Sequence, residues 1–476
     1  MSEHKLLGGT DGFRGRAELS NPDMGHMNEV TVANLSAALV DYQREQGVEG
    51  PIVIARDTRP TGRRLTLAAI GGVMTQGAEI IDLDVAPTPM AQRVADMERA
   101  AATIVLTASH NVFSDNGWKG MLGSVKPTEK QSRAISDKAW DMAVTHSGEF
   151  GQAPGYEKER VDGYRKGYIK SVVDDVERSF GERPLAGKIV VVDGANGAAQ
   201  NITPTIFTKL GAEVREFCCD GEGMINDGCG AADLTGLKAF LASSSEDLLG
   251  NPDFLGAVAN DGDADRMMAV GVLQRNGKSK LVEVDGNHAM WVLAQGPGIV
   301  GTDYTNSGLV TRLQQDGIAF EYCKNGDSYV TQALKDKQAL GQPWTRGGEF
   351  TGHFVDLNWL SSGDGPRTAA LFAATIAQRG MTFGDVYTAL PLWHQKMSKV
   401  QIDGTPKEII LEDERLLQAI NEAQQELGAE GRLLLRPSGT EPVFRVWGEA
   451  VQPAQLDKVV KQLAGIVHQI VQPRLA

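Results

Sequence analysis

A serine hydroxyl follows directly on an apolar run in the first third of the chain. The segment T-A-S-H-N at 107–111 comes after Ile104–Leu106 and places Ser109 at the end of that run. In α/β folds, ligand sites are built just beyond the carboxyl ends of strands. Ser109 is therefore a candidate site residue. Ser, His and Asn also suit the start of a helix, so a helix N-cap is the structural alternative.

A second segment, D-G-D-A-D-R at 261–266, has the pattern of a metal site. Alternate positions on a tight loop bring the carboxylates of Asp261, Asp263 and Asp265 to one side. Three hard oxygen donors suit Mg²⁺ when phosphate and water complete the shell. Carboxylates this close repel one another unless a cation intervenes. An EF-hand calcium loop would need a Glu at its twelfth position, which is missing, and a solvated acidic turn is the structural alternative.

Three further segments have side chains that suit an anionic or sugar ligand. R-P-S-G-T-E-P at 436–442, with Arg445 beyond, offers two guanidinium groups, two hydroxyls and an exposed glycine amide, which together suit phosphate. G-G-E-F-T-G-H at 347–353 sets a carboxylate, a hydroxyl and an imidazole among glycines and could bind sugar hydroxyls. G-T-D-G-F-R-G at 9–15 has Arg14 as its strong polar group. Each alone could be an ordinary turn.

The elements that must position these segments alternate between strand and helix. Ile52–Ala55 and Ile80–Val85 read as strands, and residues 63–76 between them as a helix. A second unit opens with the strand Lys188–Asp193, and a third strand–turn–helix series begins near Leu281. This alternation predicts mostly parallel sheets covered by helices.

The chain from Pro391 onward has a different pattern. An amphipathic helix over Asp413–Leu427 is followed by strands over Arg432–Leu435 and Val443–Trp447 and by a terminal helix. This order predicts a smaller α+β domain. The polar, glycine-containing stretch Thr145–Gly155 reads as a linker.

Length and charge limit the class of protein. At 476 residues the chain predicts roughly three to four domains. Its formal charge of −14, from 47 basic and 61 acidic residues, argues against nucleic-acid or anionic-membrane partners. No run of about 18 apolar residues occurs, so a membrane span is not expected. Four cysteines without C-x-x-C spacing read as reduced thiols in a cytoplasmic protein: Cys218, Cys219, Cys229 and Cys323.

Taken together, these segments resemble the α-D-phosphohexomutase superfamily, in the same order and over nearly the whole chain. The resemblance implies an α/β fold of four domains around a central cleft. Three are related α/β units with mixed sheets, and the last is a smaller α+β domain. The expected boundaries are 1–156 with the phosphoserine loop, 157–271 with the metal loop, 272–390 with the sugar loop and 391–476 with the phosphate loop.

Within the superfamily, the motifs favour the phosphoglucosamine mutase branch. They are G-T-D-G-F-R-G-R, D-N-G-W-K at 115–119, I-N-D-G-C-G at 225–230 and R-P-S-G-T-E-P-V-F-R-V. The branch implies interconversion of glucosamine 6-phosphate and 1-phosphate through a 1,6-bisphosphate. The alternative is a phosphomannomutase/phosphoglucomutase, which typically has Asn-Thr in place of Gly439 and Thr440. Val112, where Pro is usual, and Thr351, where Ser is more usual, depart from the pattern without removing a functional group.

The resemblance also implies residue roles. Ser109 would be the phosphoserine and, with the three aspartates, would bind one Mg²⁺ per chain. Lys119 is the leading candidate for handling the hydroxyl proton, through a pKa lowered by Mg²⁺ and Arg, with a phosphate counter-charge as the alternative. His110 and Arg14 would act beside the phosphoserine. The remaining substrate-binding residues are expected to be Arg266, Glu349, Thr351, His353, Arg436, Ser438, Gly439, Thr440 and Arg445.

The expected partner is a small sugar phosphate, bound by a monomer or homodimer. A phosphatase would let water attack the serine-linked phosphate, but the sequence shows no evident water-activating base. A non-catalytic sugar-phosphate-binding relative would not need Ser109, the three aspartates and the phosphate loop together.

Overall fold

The computed structural model describes most of the chain, in two compact units. One unit lies within Met1–Thr305 and Leu313–Ala389, and the other within Asn306–Arg312 and Leu390–Ala476. The described residues are 5–9, 11–21, 23–142, 157–244, 246–275, 277–402, 406–437 and 442–471. The stretch read as a linker, 145–155, lies outside them, as do residues 438–441. The four domain boundaries stay a prediction.

The first sheet carries the Ser109 segment. Its strands are β1 (Phe13–Arg16), β2 (Ile52–Arg56), β3 (Ile80–Val85), β4 (Ala102–Leu106) and β5 (Asp115–Leu122), and its helices are α1 (Glu29–Glu45), α2 (Gly62–Thr75), α3 (Thr88–Glu98) and α4 (Glu129–Asp141). The strand order is β1-β5-β4-β2-β3. Helix α1 begins where the Asn28 side chain accepts a hydrogen bond from the Thr31 N–H at 2.8 Å. The predicted strands at 52 and 80 and the helix after residue 62 are confirmed.

The second sheet carries the aspartate segment. The elements in chain order are α5 (Lys158–Phe180), β6 (Ile189–Asp193), α6 (Thr203–Lys209), β7 (Glu213–Phe217), α7 (Thr235–Ser243), α8 (Glu246–Leu249), β8 (Phe254–Asn260), β9 (Met267–Arg275), β10 (Lys278–Val284) and α9 (Gly286–Leu293). The strand order is β10-β9-β8-β6-β7. Strand β8 is buried along its whole length, as a central strand covered on both faces should be.

The third sheet carries the Glu349 segment. The elements that follow in the chain are β11 (Gly298–Thr302), α10 (Ser307–Gln315), β12 (Ala319–Cys323), α11 (Asp327–Ala339), β13 (Arg346–Gly348), β14 (Phe354–Asp356), β15 (Leu360–Gly363), α12 (Gly365–Gln378) and α13 (Phe383–Ala389). The strand order is β12-β11-β13-β14-β15. Helix α12 begins at Asp364, whose side chain accepts from the Arg367 N–H at 2.9 Å.

The three sheets are half antiparallel, so the prediction of mostly parallel sheets is wrong and that of mixed sheets is confirmed. Each sheet has two parallel and two antiparallel pairings. Parallel neighbours need a crossover of roughly a dozen residues or more. Residues 107–114, 261–266 and 349–353, which join β4 to β5, β8 to β9 and β13 to β14, are too few for one. The candidate site segments are therefore three equivalent hairpin turns.

The second unit is the predicted smaller α+β domain. It contains β16 (His394–Gln401), α14 (Lys407–Leu411), α15 (Glu414–Leu427), a 3₁₀ turn (Gly428–Glu430), β17 (Gly431–Pro437), β18 (Val443–Ala450) and α16 (Pro453–Val471). Its three strands are ordered β16-β18-β17. Buried Phe444 and Val446 of β18 form one core with Leu456 and Val460 of α16. Across the described ranges of both units, no helix has the length and apolar character needed to cross a membrane.

Candidate active site

The hairpin turns of the first two sheets meet at Ser109. The Ser109 hydroxyl donates to Asp261 Oδ2 at 2.7 Å, and both side chains are fully buried. The turn after Ser109 leads into strand β5 rather than a helix, so the helix N-cap alternative is wrong. The third sheet joins through an isolated β-bridge between Arg266 and His353. Three segments distant in sequence thus form one buried polar cluster.

The backbone of Ser109 is held in an uncommon conformation. Its φ of +53° lies in the left-handed region, which costs a non-glycine residue about 1–2 kcal/mol. Its N–H donates to Thr107 Oγ1 at 2.8 Å, and its carbonyl accepts from Asn226 Nδ2 at 2.7 Å and from Arg59 Nη2 at 2.9 Å. Such strain persists only where the surroundings fix it, and it is typical of functional sites.

Arg59 organises the whole turn, although no motif in the sequence marked it as a site residue. Its guanidinium is fully buried and pairs with Asp57 at 3.0 Å. It donates to four backbone carbonyls of the turn, those of Ser109, Asn111, Val112 and Asp115. A signal existed, because R-D-T-R at 56–59 ends strand β2, which lies beside β4 in the sheet. Neighbouring parallel strands bring their carboxyl ends to the same edge.

A glycine in the aspartate turn permits the close approach of the two sheets. A Cβ added at Gly262 would lie 2.8 Å from the Ser109 carbonyl oxygen and 2.7 Å from the side chain of Ile225. Both distances are shorter than the contacts that Cβ atoms make with other heavy atoms in proteins. Only glycine at this position lets the aspartate turn reach Ser109.

The three aspartates can hold a metal ion. One carboxylate oxygen from each of Asp261, Asp263 and Asp265 lies within 4.8 Å of the others. All three side chains are buried, so the alternative of a solvated acidic turn is wrong. Asp263 Oδ2 accepts from Thr88 Oγ1 at 2.6 Å, while the buried Asp263 Oδ1 has no hydrogen-bond partner among the described residues. A buried carboxylate oxygen left unpaired beside two more carboxylates fits a hard divalent cation.

The pKa values of the three carboxyl groups are shifted in different directions. Burial, together with the charges of Asp265 and Asp263, raises the pKa of Asp261 to about 6. Burial would also raise the pKa values of Asp263 and Asp265. Lys119 outweighs burial at both residues and lowers their pKa, and His353 adds to the effect at Asp265. Asp261, which faces Ser109, is therefore the carboxyl with the least compensation from protein cations.

Lys119 is a buried cation whose pKa is raised by the carboxylates around it, whereas the direction expected beside Mg²⁺ and Arg is a lowered pKa. Its Nζ lies 2.5 Å from Asp263 Oδ2 and 2.8 Å from Asp265 Oδ2. Burial by itself would lower the pKa of Lys119, but these two carboxylates outweigh it and raise the pKa. The expectation rested on neighbouring positive charge, whereas the nearest groups are negative.

His353 bridges two carboxylates as an imidazolium. Its Nδ1 lies 2.7 Å from Glu349 Oε2 and its Nε2 lies 3.0 Å from Asp265 Oδ1. Burial would lower the pKa of His353, but Asp265 and Glu349 outweigh it and raise the pKa to about 10. With both ring nitrogens protonated, the 3.4 Å approach of Arg266 Nε to His353 Nε2 is a contact rather than a hydrogen bond.

The predicted phosphate-facing residues of the first two sheets lie around Ser109. Arg266 Nε is 3.8 Å from Asp261 Oδ2. Arg14 is the register partner of Gly117 on β5, and its buried Nε has no hydrogen-bond partner among the described residues. Burial and the charges of Arg266 and Arg14 lower the pKa of His110 to about 3, so this imidazole is neutral. Its buried Nδ1 is also without a partner in the described ranges. Unpaired buried donors suit an anionic ligand.

A second buried lysine near the site was not predicted. Lys126 Nζ lies 2.8 Å from Asp11 Oδ1 and 2.7 Å from Asp327 Oδ1, and so joins the 9–15 turn to the first turn of α11. The neighbouring Gly326 N–H donates to Glu349 Oε1 at 3.0 Å. The signal was weak because Lys126 belongs to no motif and lies four residues beyond the end of β5.

The remaining predicted residues are placed as follows. Thr351 lies half-buried in the turn with Glu349 and His353. Arg436 on β17 and Arg445 on β18 belong to the second unit and are register partners. Ser438, Gly439 and Thr440 lie outside the described residues.

Comparison with known proteins identifies the class. Residues 5–142 match the model of phosphoglucomutase/phosphomannomutase alpha/beta/alpha domain I, residues 285–392 match domain III, and residues 398–466 match the C-terminal domain. The chain belongs to the phosphohexomutase family.

Curated relatives narrow the comparison to one branch. Phosphoglucosamine mutase of Streptomyces avermitilis is 32% identical, over 97% of this chain and 98% of the relative. That of Thermus thermophilus is 33% identical, over 98% of each. Among these family members, the chain is most similar to phosphoglucosamine mutases.

Solved structures share the fold. A phosphoglucomutase/phosphomannomutase family protein from Burkholderia thailandensis superposes with a TM-score of 0.75 at 21% identity, over 98% of both chains. N-acetylphosphoglucosamine mutase from Aspergillus fumigatus, solved with GlcNAc-6P and magnesium, gives a TM-score of 0.60 at 18% identity, over 88% of this chain and 82% of that one.

Proposed function

We propose that this chain interconverts glucosamine 6-phosphate and glucosamine 1-phosphate, with Ser109 carrying the phosphoryl group. The main support is the 2.7 Å hydrogen bond between the Ser109 hydroxyl and Asp261, inside a buried group of three aspartates. A carrier must be protected from water between turnovers, and Ser109 has no exposed surface. The full-length similarity to phosphoglucosamine mutases supports the choice of sugar.

One Mg²⁺ per chain would be held by Asp261, Asp263, Asp265 and the phosphorylated Ser109. These residues supply the hard oxygen donors that the ion prefers. When bound, Mg²⁺ polarises the phosphoryl group and offsets its charge during in-line transfer.

The proposed reaction consists of two phosphoryl transfers, one from Ser109 to the sugar and one back to Ser109. The 1-hydroxyl of glucosamine 6-phosphate attacks the phosphorus of phospho-Ser109. The bond from phosphorus to the serine oxygen breaks, that oxygen regains a proton, and glucosamine 1,6-bisphosphate forms. After the bisphosphate turns over, the Ser109 hydroxyl loses its proton and attacks the 6-phosphate. The bond from phosphorus to the sugar 6-oxygen breaks, that oxygen takes up a proton, and glucosamine 1-phosphate leaves. The serine is thereby phosphorylated again.

The charged groups around Ser109 divide into counter-charges and orienting groups. Lys119 remains a cation between Asp263 and Asp265, which favours the phosphate counter-charge role over that of a general base. Arg14 and Arg266 would orient the phosphate. Neutral His110 would contribute a hydrogen bond rather than a charge.

The sugar and its second phosphate would be held by the remaining predicted residues. Glu349 and Thr351 would bind ring hydroxyls, with His353 fixing the carboxylate of Glu349. The phosphate that is not being transferred would bind the C-terminal loop, which comprises Arg436, Ser438, Gly439, Thr440 and Arg445. Two guanidinium groups can make strong, bidentate phosphate contacts.

The carrier is tested by peptide mass spectrometry and by turnover. Phosphate should map to Ser109, and Ser109→Ala should lose nearly all activity while its circular dichroism matches wild type. Ser124→Ala, in the turn after β5, is a matched control that should stay active. Full turnover by Ser109→Ala would refute the mechanism.

The substrate is tested by comparing kcat/KM for glucosamine, glucose, mannose and N-acetylglucosamine 6-phosphates with Mg²⁺ present. Glucosamine 6-phosphate should give the highest value. An equal or higher value for glucose or mannose would instead make the chain a phosphoglucomutase or phosphomannomutase. Stoichiometric release of inorganic phosphate would indicate a phosphatase.

A further inference from the structure

A second group of potential metal ligands lies in the second sheet, outside the aspartate triad. It consists of Asp193 at the end of β6, Cys218 just after β7, and Cys229 in the 225–230 turn. One ligand atom from each lies within 4.8 Å of the other two. The proposed phosphoryl transfer uses none of these side chains.

The fold positions these three groups through neighbouring strands. Asp193 and Phe217 are register partners in the parallel pair of β6 and β7, so Cys218 follows at the same edge. The N–H of Ala195 donates to Asp193 Oδ1 and that of Gly230 donates to Oδ2, each at 2.8 Å. Each carboxylate oxygen keeps a second lone pair. Carboxylates that bind metals are commonly oriented by such hydrogen bonds.

The carboxylate of Asp193 has no compensating cation among the described residues. It is fully buried, and no Lys, Arg or His of the described residues acts on its charge. Two thiols beside an uncompensated carboxylate would supply up to three negative charges, which a divalent ion would offset.

We propose that Asp193, Cys218 and Cys229 bind a divalent transition metal ion of the zinc class, with water as fourth ligand. Thiolate sulfur favours Zn²⁺ or Co²⁺ over Mg²⁺. With Zn–S near 2.3 Å, tetrahedral ligand atoms lie about 3.3–3.8 Å apart, and the three ligand atoms here lie within 4.8 Å of one another before any ion draws them in. Cys218 is partly exposed, so water can reach the ion.

The ion would stabilise the turn that contains Ser109. Asn226 lies between Cys218 and Cys229 in sequence, and its Nδ2 donates to the Ser109 carbonyl. Its own N–H donates to the Ala195 carbonyl at 3.0 Å. A bound ion would therefore tie the loop that supports Ser109 to the ends of β6 and β7.

The test is a Co²⁺ titration of the full chain, stripped with chelator and kept reduced with a phosphine. Thiolate bound to Co²⁺ should give a near-ultraviolet charge-transfer band that saturates at one ion per chain, disappears with Zn²⁺ and persists in excess Mg²⁺. The Asp261 site, which has only oxygen ligands, cannot produce this band. Asp261→Asn should retain it.

Variants assign the ligands. Cys218→Ser and Asp193→Asn should each weaken Co²⁺ binding at least tenfold, while Cys323→Ser, a partly exposed thiol in the third sheet, should bind as wild type does. Cys218→Ser replaces a partly exposed side chain, and circular dichroism checks its fold. No thiolate band in the wild type, a band unchanged in Cys218→Ser, or a Cys218–Cys229 disulfide that persists in the presence of the phosphine would each overturn the proposal. Mutase activity with Mg²⁺ is a separate measurement, so either proposal can fail alone.

Discussion

Arg59 offers the sharpest test of how the fold positions Ser109. Replacing Arg59 by Lys keeps a positive charge beside Asp57 but exchanges a five-donor fork for a single nitrogen. The guanidinium donates to four carbonyls of the Ser109 turn, at 2.8–2.9 Å for the contacts to Ser109, Asn111 and Asp115. One lysine nitrogen cannot reach all of them.

The size of the effect follows from these contacts. A hydrogen bond from a charged group contributes about 1.5–3 kcal/mol. If Lys loses two of the four carbonyl contacts, the lower end of that range gives about 3 kcal/mol. If the lost contacts stabilise the transition state for phosphoryl transfer, kcat/KM decreases about a hundredfold, because each 1.36 kcal/mol changes the rate constant about tenfold.

The assay combines turnover with a direct readout of the turn. Arg59→Lys should reduce kcat far more than it raises KM for glucosamine 6-phosphate. Its phosphoserine should also be hydrolysed faster on storage, since a loosened turn admits water. Arg56→Lys is the matched control. It changes an arginine of the same motif whose main partner is the half-exposed Asp84, and exposed pairs contribute at most about 1 kcal/mol. An Arg59→Lys enzyme with wild-type kcat and phosphoserine lifetime would refute the positioning role.

Three other substitutions test the charges. Lys119→Met leaves Asp263 and Asp265 without their shared cation and should lower kcat/KM more than tenfold in steady-state assays; a wild-type value would make the ion pairs dispensable. Arg436→Ala removes a proposed phosphate contact of roughly 1.5–3 kcal/mol and should lower kcat/KM about ten- to hundredfold while releasing free 1,6-bisphosphate. Unchanged release would mean that the C-terminal loop does not hold the phosphate that is not being transferred. Burial raises the pKa of Asp82, so the wild type loses stability as pH rises through that folded-state value. Asp82→Asn should therefore have the higher denaturation midpoint at pH 7, and the difference should vanish below about pH 4, where the unfolded carboxyl is protonated; a pH-independent difference would contradict this.

Local sequence was enough to find the elements and the main reactive groups. Buried strands appear as short apolar runs, so strands β2, β3, β4 and β6 were predictable within a residue or two. Ser109 and the aspartates of 261–266 stand directly after such runs. The amphipathic pattern of 413–427 likewise predicted α15, because a helix that covers a core repeats its apolar positions with the helical period.

Pairing direction and the protonation of the site depended on tertiary contacts. The alternation of strand and helix predicted parallel sheets, but the turns at 107–114 and 261–266 are too short for crossovers. Lys119 meets Asp263 from 144 positions away, and that contact reverses the expected direction of its pKa shift.

The sequence by itself determined which residues can perform chemistry, since hydroxyls, carboxylates and guanidinium groups after strand ends are local features. The tertiary structure decided which of them meet and in what charge state. In the sequence, Arg59 is only part of an ordinary R-D-T-R segment. The parallel pairing of β2 and β4 places it beside the Ser109 turn. Asp193 and Cys218 belong to no motif, and the side-by-side ends of β6 and β7 bring them together. Cys229 belongs to I-N-D-G-C-G at 225–230, but only the folded turn places its sulfur beside the other two groups. Electrostatic interactions act through space, so groups far apart in sequence determine the charge state of a buried residue. That charge state cannot be predicted from the local sequence pattern.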